Sequence, residues 1–482
     1  MSFVEQVEEI PAAEDLGRVH FVGVGGAGMS GIARIMLARG IAVSGCDAKE
    51  SRGLAALRAL GAGIDVGHDG AHITDVDTVV TSSAIRPTNP DLVAARELGR
   101  RVLPRAAALA SVMADRRGLA VAGTAGKTTT TSMLAVALQA CGKDPSYAIG
   151  GDLNEPGSNA HAGTGEYFVA EADESDRSFL LLAPEAAIVT NVEADHLDNY
   201  GRAEAVTEAF EAFIRRVSSG GCAVLGADDE GSRALVPTAV GCGLTTLTYG
   251  LADDADVRVE SLRLDGSESH FALVAGGRRL GELTLQVPGA HNAVNAAGAL
   301  ALGLTLGMPF SDMARGLTEF SGARRRFELK GEAGGVRVYD DYAHHPTKVR
   351  AALAAAREVA GAGRVIVVFQ PHLFSRTQYF SDEFGQALSA ADEVVVMDVY
   401  AAREDPVPGV TGALVAEAID LPAGQVEFEP SWSAVPALVA DRARAGDLVL
   451  TVGAGDVTML GPQILLALEG RASAGRPGMG GQ

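Results

Sequence analysis

The stretch Val121–Thr131, V-A-G-T-A-G-K-T-T-T-T, constrains this chain more than any other. A short apolar run ends in a glycine turn, and a helix pattern continues over Ser132–Cys141. Two glycines let the backbone turn tightly and aim several N–H groups at one point. The following helix adds the positive end of its dipole, so the turn is a seat for a phosphate chain. Gly123, Thr124, Ala125, Gly126, Lys127, Thr128 and Thr129 make up that seat. Lys127 is placed for β- and γ-phosphates, and the Thr128 hydroxyl for Mg²⁺. The full phosphate-loop pattern has a glycine where this chain has Val121, so the loop is a shortened variant. A plain strand-to-helix turn could use the same glycines, but it gives the lysine no purpose.

A chain of 482 residues is too long for one core and implies about three domains. With 61 acidic against 40 basic residues the net charge is −21, which argues against nucleic acid or an anionic membrane as partner. A polyanionic substrate must then be met by particular Lys, Arg and Mg²⁺ charges. Cys46, Cys141, Cys222 and Cys242 lie far apart without metal-ligand spacing and read as buried thiols of a reducing, cytoplasmic compartment. Met1–Asp15 is acidic and lacks an apolar core, so it does not read as a signal peptide. The longest uncharged run, His291–Ser311, contains Asn292, Asn295 and Pro309, and reads as a buried Ala-rich helix and not a membrane span.

Strand and helix patterns alternate along the chain, giving an α/β fold. Strands are expected at Arg18–Val24, Ile41–Ser44 and Thr78–Thr81, forming a Rossmann-like N-terminal domain over residues 1–110. A central P-loop ATPase-type α/β domain is expected over 111–320, with strands Tyr167–Glu171, Ala187–Thr190 and Cys222–Leu225. Its helix Ala205–Val217 sets Val206, Ala209, Phe210, Phe213 and Val217 on one side. A C-terminal Rossmann-like α/β domain is expected over 321–470, with strands Val365–Phe369, Val394–Asp398 and Leu448–Val452. The glycine-rich tail 471–482 is expected to be disordered.

Several constellations carry chemistry. Gly23, Gly25 and Gly28 satisfy G-x-G-x-x-G after a strand, and Asp47 follows at the end of the next. The pattern suits NAD(P), another nucleotide pyrophosphate, or close helix–sheet packing. Glu171-Ala-Asp-Glu-Ser-Asp176 and Asn191-Val-Glu-Ala-Asp-His196 each follow a strand. Hard oxygens plus one imidazole there suit Mg²⁺ or Mn²⁺ beside a triphosphate, whereas either segment alone reads as a solvated acidic loop. Gly289–Asn295 opens the Ala-rich helix, where Asn292 serves equally as an adenine contact or a helix cap. Arg324-Arg-Arg326 is either a solvated face or the source of a guanidinium for a transferring phosphoryl group. Asp340–His345 and Gln370–Arg376 combine acids, imidazoles and an arginine, which suits a small zwitterion.

Taken together these segments resemble the Mur ligase family. The resemblance runs through V-G-V-G-G-A-G-M-S-G-I-A (22–33), T-S-S-A-I (81–85), G-T-A-G-K-T-T-T-T (123–131), E-A-D-E-S-D (171–176) and N-V-E-A-D-H (191–196). It continues through G-A-H-N-A-V-N-A-A (289–297), G-A-R-R-R-F-E (322–328), D-D-Y-A-H-H-P (340–346) and F-Q-P-H-x-x-S-R-T (369–377). The resemblance implies that the first turn holds the UDP of a sugar nucleotide and not NAD. Gly25, Gly26, Gly28, Met29 and Ser30 then face the pyrophosphate, with Asp47, His68, Ser82 and Ser83 on the nucleoside side. It assigns Lys127 and Thr128 to ATP and Mg²⁺, Glu171 and His196 to metal, Asn292 to adenine and Arg324 to phosphates. Tyr342, His345 and Arg376 face the amino acid. Where the family has His or Asn in the phosphate loop, this chain has Ala125, which puts a local polar contact in doubt.

The implied activity is ATP-dependent amide formation between L-alanine and the lactyl carboxylate of UDP-N-acetylmuramate, through an acyl phosphate, in peptidoglycan precursor synthesis. His345 is a candidate acceptor of the amine proton. Domain junctions near 105–118 and 320–332 offer hinges that would close the site against hydrolysis. Rival readings are a ligase that recycles a tripeptide onto the same sugar nucleotide, an NAD(P)-dependent oxidoreductase with an appended ATPase, and a nucleotide-hydrolysing switch.

Overall fold

The computed structural model describes residues 9–151, 159–402 and 404–474. Its strands form three sheets. The first has five parallel strands, β1 (Val19–Val22), β2 (Val43–Asp47), β3 (Gly63–Val66), β4 (Thr78–Thr81) and β5 (Arg101–Pro104), in the order β3-β2-β1-β4-β5. Val19–Val22 is buried throughout, which is the signature of a central parallel strand covered on both faces. The reading of Ile41–Ser44 as a strand is corrected to Val43–Asp47. Gly40 takes a φ of 80° and the Ile41 amide bonds back to Met36, so residues 40 and 41 close the preceding helix, while Ala42 O already accepts Val19 N at 2.9 Å.

The second sheet contains β6 (Arg117–Ala122), β7 (Ser146–Ala148), β8 (Ala160–His161), β9 (Tyr167–Glu171), β10 (Ala186–Val189), β11 (Cys222–Gly226), β12 (Thr245–Gly250), β13 (Val257–Asp265), β14 (Glu268–Ala275) and β15 (Arg278–Leu285). Their order is β15-β14-β13-β12-β11-β10-β6-β9-β7-β8. β6 lies between β10 and β9, parallel to both. The helix expected at Ala205–Val217 forms over Ala203–Ile214 and buries Val206, Ala209, Phe210 and Phe213. Phe179 meets Phe210 edge-on at 5.4 Å and stacks on Phe213 at 4.9 Å. Each such pair adds about 0.5–1.5 kcal/mol beyond the area buried. The Ala-rich segment forms the helix Ala290–Thr305, ended before Gly307 at φ 78°.

The third sheet holds β16 (Glu328–Ala333), β17 (Val336–Asp341), β18 (Val365–Phe369), β19 (Glu393–Val396), β20 (Val426–Phe428) and β21 (Leu448–Val452), in the order β16-β17-β21-β18-β19-β20. All its pairs are parallel except β16 with β17. Apolar clusters cover both faces. Part of the expected disordered tail is helical: Arg471–Ala474 complete the helix Leu460–Ala474, and the Arg471 guanidinium binds the Ala440 and Ala443 carbonyls. The remainder of that tail, 475–482, lies outside the described residues, as does the start of the Met1–Asp15 segment.

The chain divides into two compact units. One comprises residues through 262 with 271–285 and 292–323, and the other 263–270, 286–291 and everything from 324. No helix among the described residues is long and apolar enough to cross a membrane. All four cysteines are free; Cys46 and Cys222 are buried, whereas Cys141 and Cys242 are only half-buried and correct the reading of all four as buried.

Candidate active site

The strand order places the C-terminal ends of β9, β6 and β10 side by side, at the rim where parallel sheets take ligands. After β6 the chain turns through Gly123 (φ 136°) and Gly126 (φ 83°). A Cβ on Gly123 would collide with Thr190 Oγ1, and one on Gly126 would lie 2.7 Å from Asn295 Oδ1. The loop is tied to the segment after β10 through its backbone. Ala125 N donates to Asn191 Oδ1 at 2.7 Å, Thr190 Oγ1 donates to Ala125 O, and Thr124 N donates to Asn191 O at 3.0 Å. The turn therefore holds its shape without a polar side chain at position 125.

Lys127 opens the helix Lys127–Ala140. Its Nζ donates to Gly123 O at 2.6 Å and lies 2.7 Å from the buried Glu174. Burial opposes its charge, but Glu174, Asp173 and Glu171 outweigh that and raise its pKa above the ordinary value. Thr128 Oγ1 donates to Glu171 Oε1 at 3.1 Å, and Gly150 N donates to Glu171 Oε2 at 2.8 Å. Thr129 is buried in the first turn of the helix. Burial also opposes ionisation of Asp173, but Arg105 at 2.9 Å, Lys127 and His196 hold its carboxyl well below the usual range. His196 takes a φ of 54° at the head of the helix Leu197–Tyr200, with Nε2 3.8 Å from Glu174 Oε1 and 3.7 Å from Asp195 Oδ2. Asn292 is buried and receives Asn295 Nδ2 at 3.4 Å, and Asn295 is the asparagine set against the Gly126 turn.

The first glycine turn follows β1. Gly23 N and Val24 N donate to Cys46 O, and Gly25 N donates to Asp47 Oδ2 at 2.9 Å. Asp47 thus braces the turn. Gly26 is exposed, and a Cβ on Gly28 would lie 2.9 Å from Arg105 Nη1. Met29 sits in the apolar core, and the Ser30 hydroxyl returns to Ala27 O at 3.1 Å. Met29 and Ser30 are buried, whereas Gly25 and Gly28 are half-buried. Gly28, Arg105, Gly150, Glu171 and Asp173 line one cleft, which joins the first turn to the acids after β9. His68 Nδ1 lies 2.9 Å from Asp91 Oδ2; Ser82 is half-buried and Ser83 exposed after β4.

In the other unit the ends of β17, β21 and β18 adjoin. Arg325 Nη2 donates to Gly453 O at 2.8 Å and Gly455 O at 3.0 Å, with Nε 3.3 Å from Asp340. Arg325 and Arg326 both lie over the Tyr342 ring, at 4.8 and 5.1 Å. Arg324 Nε lies 3.9 Å from Glu328 Oε1. His345 is buried with its ring edge-on to Phe380, and Arg376 is buried with Nη1 3.4 Å from His372 Nδ1. Burial pushes the Asp341 carboxyl up to about 6, although the amides of Phe327 and Ala343 bond to it.

Family models match almost end to end: "Mur ligase family, catalytic domain" over residues 18–117, "Mur ligase middle domain" over 121–303 and "Mur ligase, glutamate ligase domain" over 325–455. A UDP-N-acetylmuramate–L-alanine ligase of Acidothermus cellulolyticus is 61% identical, covering 95% of this chain and 96% of its own. This chain belongs to the Mur ligase family. A second ligase of that name, from Saccharopolyspora erythraea, is 56% identical over 96% of each chain. The crystal structure of UDP-N-acetylmuramate-alanine ligase from Thermotoga maritima superposes with a TM-score of 0.79 at 30% identity, covering 95% of this chain and 100% of that one. A murein peptide ligase from Psychrobacter arcticus gives 0.69 at 26% identity, covering 94% and 99%. Mur ligases share a three-domain α/β architecture and ATP-dependent ligation, to which the three sheets of this Mur ligase correspond. Sequence reading passed over Arg105, Asp173, Glu174, Thr190, Asn191 and Asn295 as site residues. All but Arg105 and Thr190 lay inside segments singled out above, but spacing does not tell which carboxylate or amide of a loop points inward.

Proposed function

We infer that this Mur ligase joins L-alanine to the lactyl carboxylate of UDP-N-acetylmuramate at the expense of ATP, in peptidoglycan precursor synthesis. The observation that carries the reading is the 61% identity over 459 residues to a ligase named for that reaction. A carboxylate resists attack by an amine because it is already anionic. Transfer of the ATP γ-phosphoryl group to a carboxylate oxygen gives ADP and an acyl phosphate. The alanine amine then attacks the carbonyl carbon, the amine proton leaves, and orthophosphate departs from the tetrahedral intermediate.

Catalysis of such a transfer is chiefly positioning and charge compensation. Lys127, Arg324 and the turn Gly123–Thr129 would meet the phosphates, and Asn292, beside Asn295, the adenine. Thr128, Glu171 and His196 would hold Mg²⁺ or Mn²⁺, whose charge would offset the phosphates. The hydroxyl–carboxylate contact of Thr128 with Glu171 at 3.1 Å supplies the hard oxygens such ions prefer. The turn Gly25–Gly28 with Asp47, His68, Ser82 and Ser83 would take the UDP portion. Tyr342, His345 and Arg376 would face alanine, with His345 accepting its proton. Residues 1–110, 111–320 and 321–470 then serve sugar nucleotide, ATP and amino acid in turn, in the cytoplasm. The test is phosphate release from ATP and UDP-N-acetylmuramate. L-alanine should stimulate it; stimulation by a cell-wall tripeptide alone would transfer the assignment to a recycling ligase.

A further inference from the structure

Beneath the first glycine turn lies a cluster that the ligase reaction does not use. His20 on β1, Cys46 on β2, His72 in the short helix Ala71–Ile73 and Asp91 in the helix Pro90–Glu97 each offer a ligand atom, all within 4.8 Å of one another. His20, Cys46 and Asp91 are fully buried, and the His72 side chain is 15% exposed. We propose that these four residues bind one zinc-like divalent cation.

Spacing brings the four donors close to the reach of one ion. Metal–ligand bonds of about 2.0–2.3 Å put tetrahedral ligand atoms about 3.3–3.8 Å apart. Here the four ligand atoms lie within 4.8 Å of one another, so a bound ion would draw them slightly together: His20 Nε2 lies 3.4 Å from Cys46 Sγ, Cys46 Sγ 3.2 Å from Asp91 Oδ2, and the other carboxylate oxygen, Oδ1, 3.3 Å from His72 Nδ1. The His72–Asp91 approach lacks hydrogen-bond geometry, so the buried His72 Nδ1 faces the carboxylate without a hydrogen-bond partner. The outward ring nitrogens are also accounted for. His20 Nδ1 is 2.9 Å from Ser44 Oγ, and His72 Nε2 faces Asp65 and Asp69 at 3.7 and 3.6 Å. Outer contacts of this kind orient ligating imidazoles. His68 Nδ1 and the Gly70 amide hold the Asp91 carboxylate in the same way, at 2.9 and 3.1 Å.

The donor set selects the ion. One sulfur, two imidazoles and one carboxylate suit zinc or cobalt and not the all-oxygen preference of Mg²⁺. A thiolate and a carboxylate cancel the charge of a divalent ion, so the buried site is neutral when filled; the thiol proton passes to solvent on binding. The ion would join β1, β2 and the β3–β4 connection below the turn whose Gly23 and Val24 amides bond to Cys46 O.

The test uses the full chain stripped with chelator, without nucleotide, and titrated with Co²⁺ alone. One equivalent should produce tetrahedral ligand-field absorption with a thiolate-to-cobalt charge-transfer band. Cys46→Ser should abolish that band, and His72→Ala should weaken binding at least tenfold with unchanged circular dichroism. Co²⁺ at the oxygen-lined phosphate site gives no such band, so this outcome is separable from the ligase reading. Absence of the band in the unaltered chain, or its persistence in Cys46→Ser, overturns the proposal. Should Cys46→Ser fail to fold, equal Co²⁺ affinity in His72→Ala overturns it as well.

Discussion

Lys127 shows how a buried charge is stabilised before substrate arrives: Glu174 neutralises it at 2.7 Å, and the loop carbonyls Gly123 O and Thr124 O accept its remaining protons. Removing one partner of such a pair costs about 3–5 kcal/mol because the other charge stays buried. Lys127→Ala should therefore lower stability as well as phosphate release, the latter by about 10²-fold or more, while sugar-nucleotide binding persists. Lys127→Met with Glu174→Gln should recover most stability by denaturant titration and none of the activity. Recovery of activity in the double variant would remove Lys127 from the mechanism. Asp341 carries the opposite sign of coupling. Its folded pKa of about 6 lies above the ordinary 3.8, so the unfolded chain ionises first as pH rises. Its contribution to stability therefore declines between about pH 4 and pH 6. Asp341→Asn should gain stability relative to the unaltered chain across that window, and a difference independent of pH would contradict this.

The shape of the turn after β6 was legible because its two requirements, glycine freedom and a lysine at the helix head, are written in residue types. Gly126 needs its φ of 83°, and an added Cβ meets Asn295 Oδ1. Gly126→Ala should cost about 1–3 kcal/mol and reduce ATP binding; an unchanged melting temperature would show that the turn relaxes freely. Strands buried on both faces, such as Val365–Phe369 and Leu448–Val452, were also legible from their apolar runs. Ile41 misled because an apolar residue closing a helix looks like the start of a strand. Met29 belongs to the G-V-G-G-A-G-M-S-G motif, yet its side chain points into the core, since a motif records spacing and not direction. The His20–Cys46–His72–Asp91 cluster had no sequence signal at all, because four elements contribute one ligand each.

Across the whole chain, a net charge of −21 must accommodate ATP, a carboxylate and an acyl phosphate. That mismatch calls for local compensation, the role we propose for Lys127, Arg324 and a divalent ion. Chelation with EDTA should stop phosphate release, and Mg²⁺ or Mn²⁺ should restore it; full turnover in EDTA would remove the ion from the reaction. The most direct measurement follows oxygen atoms. With ¹⁸O in the lactyl carboxylate of UDP-N-acetylmuramate, one labelled oxygen should appear in each orthophosphate released during L-alanine ligation. Orthophosphate free of label would exclude the acyl phosphate.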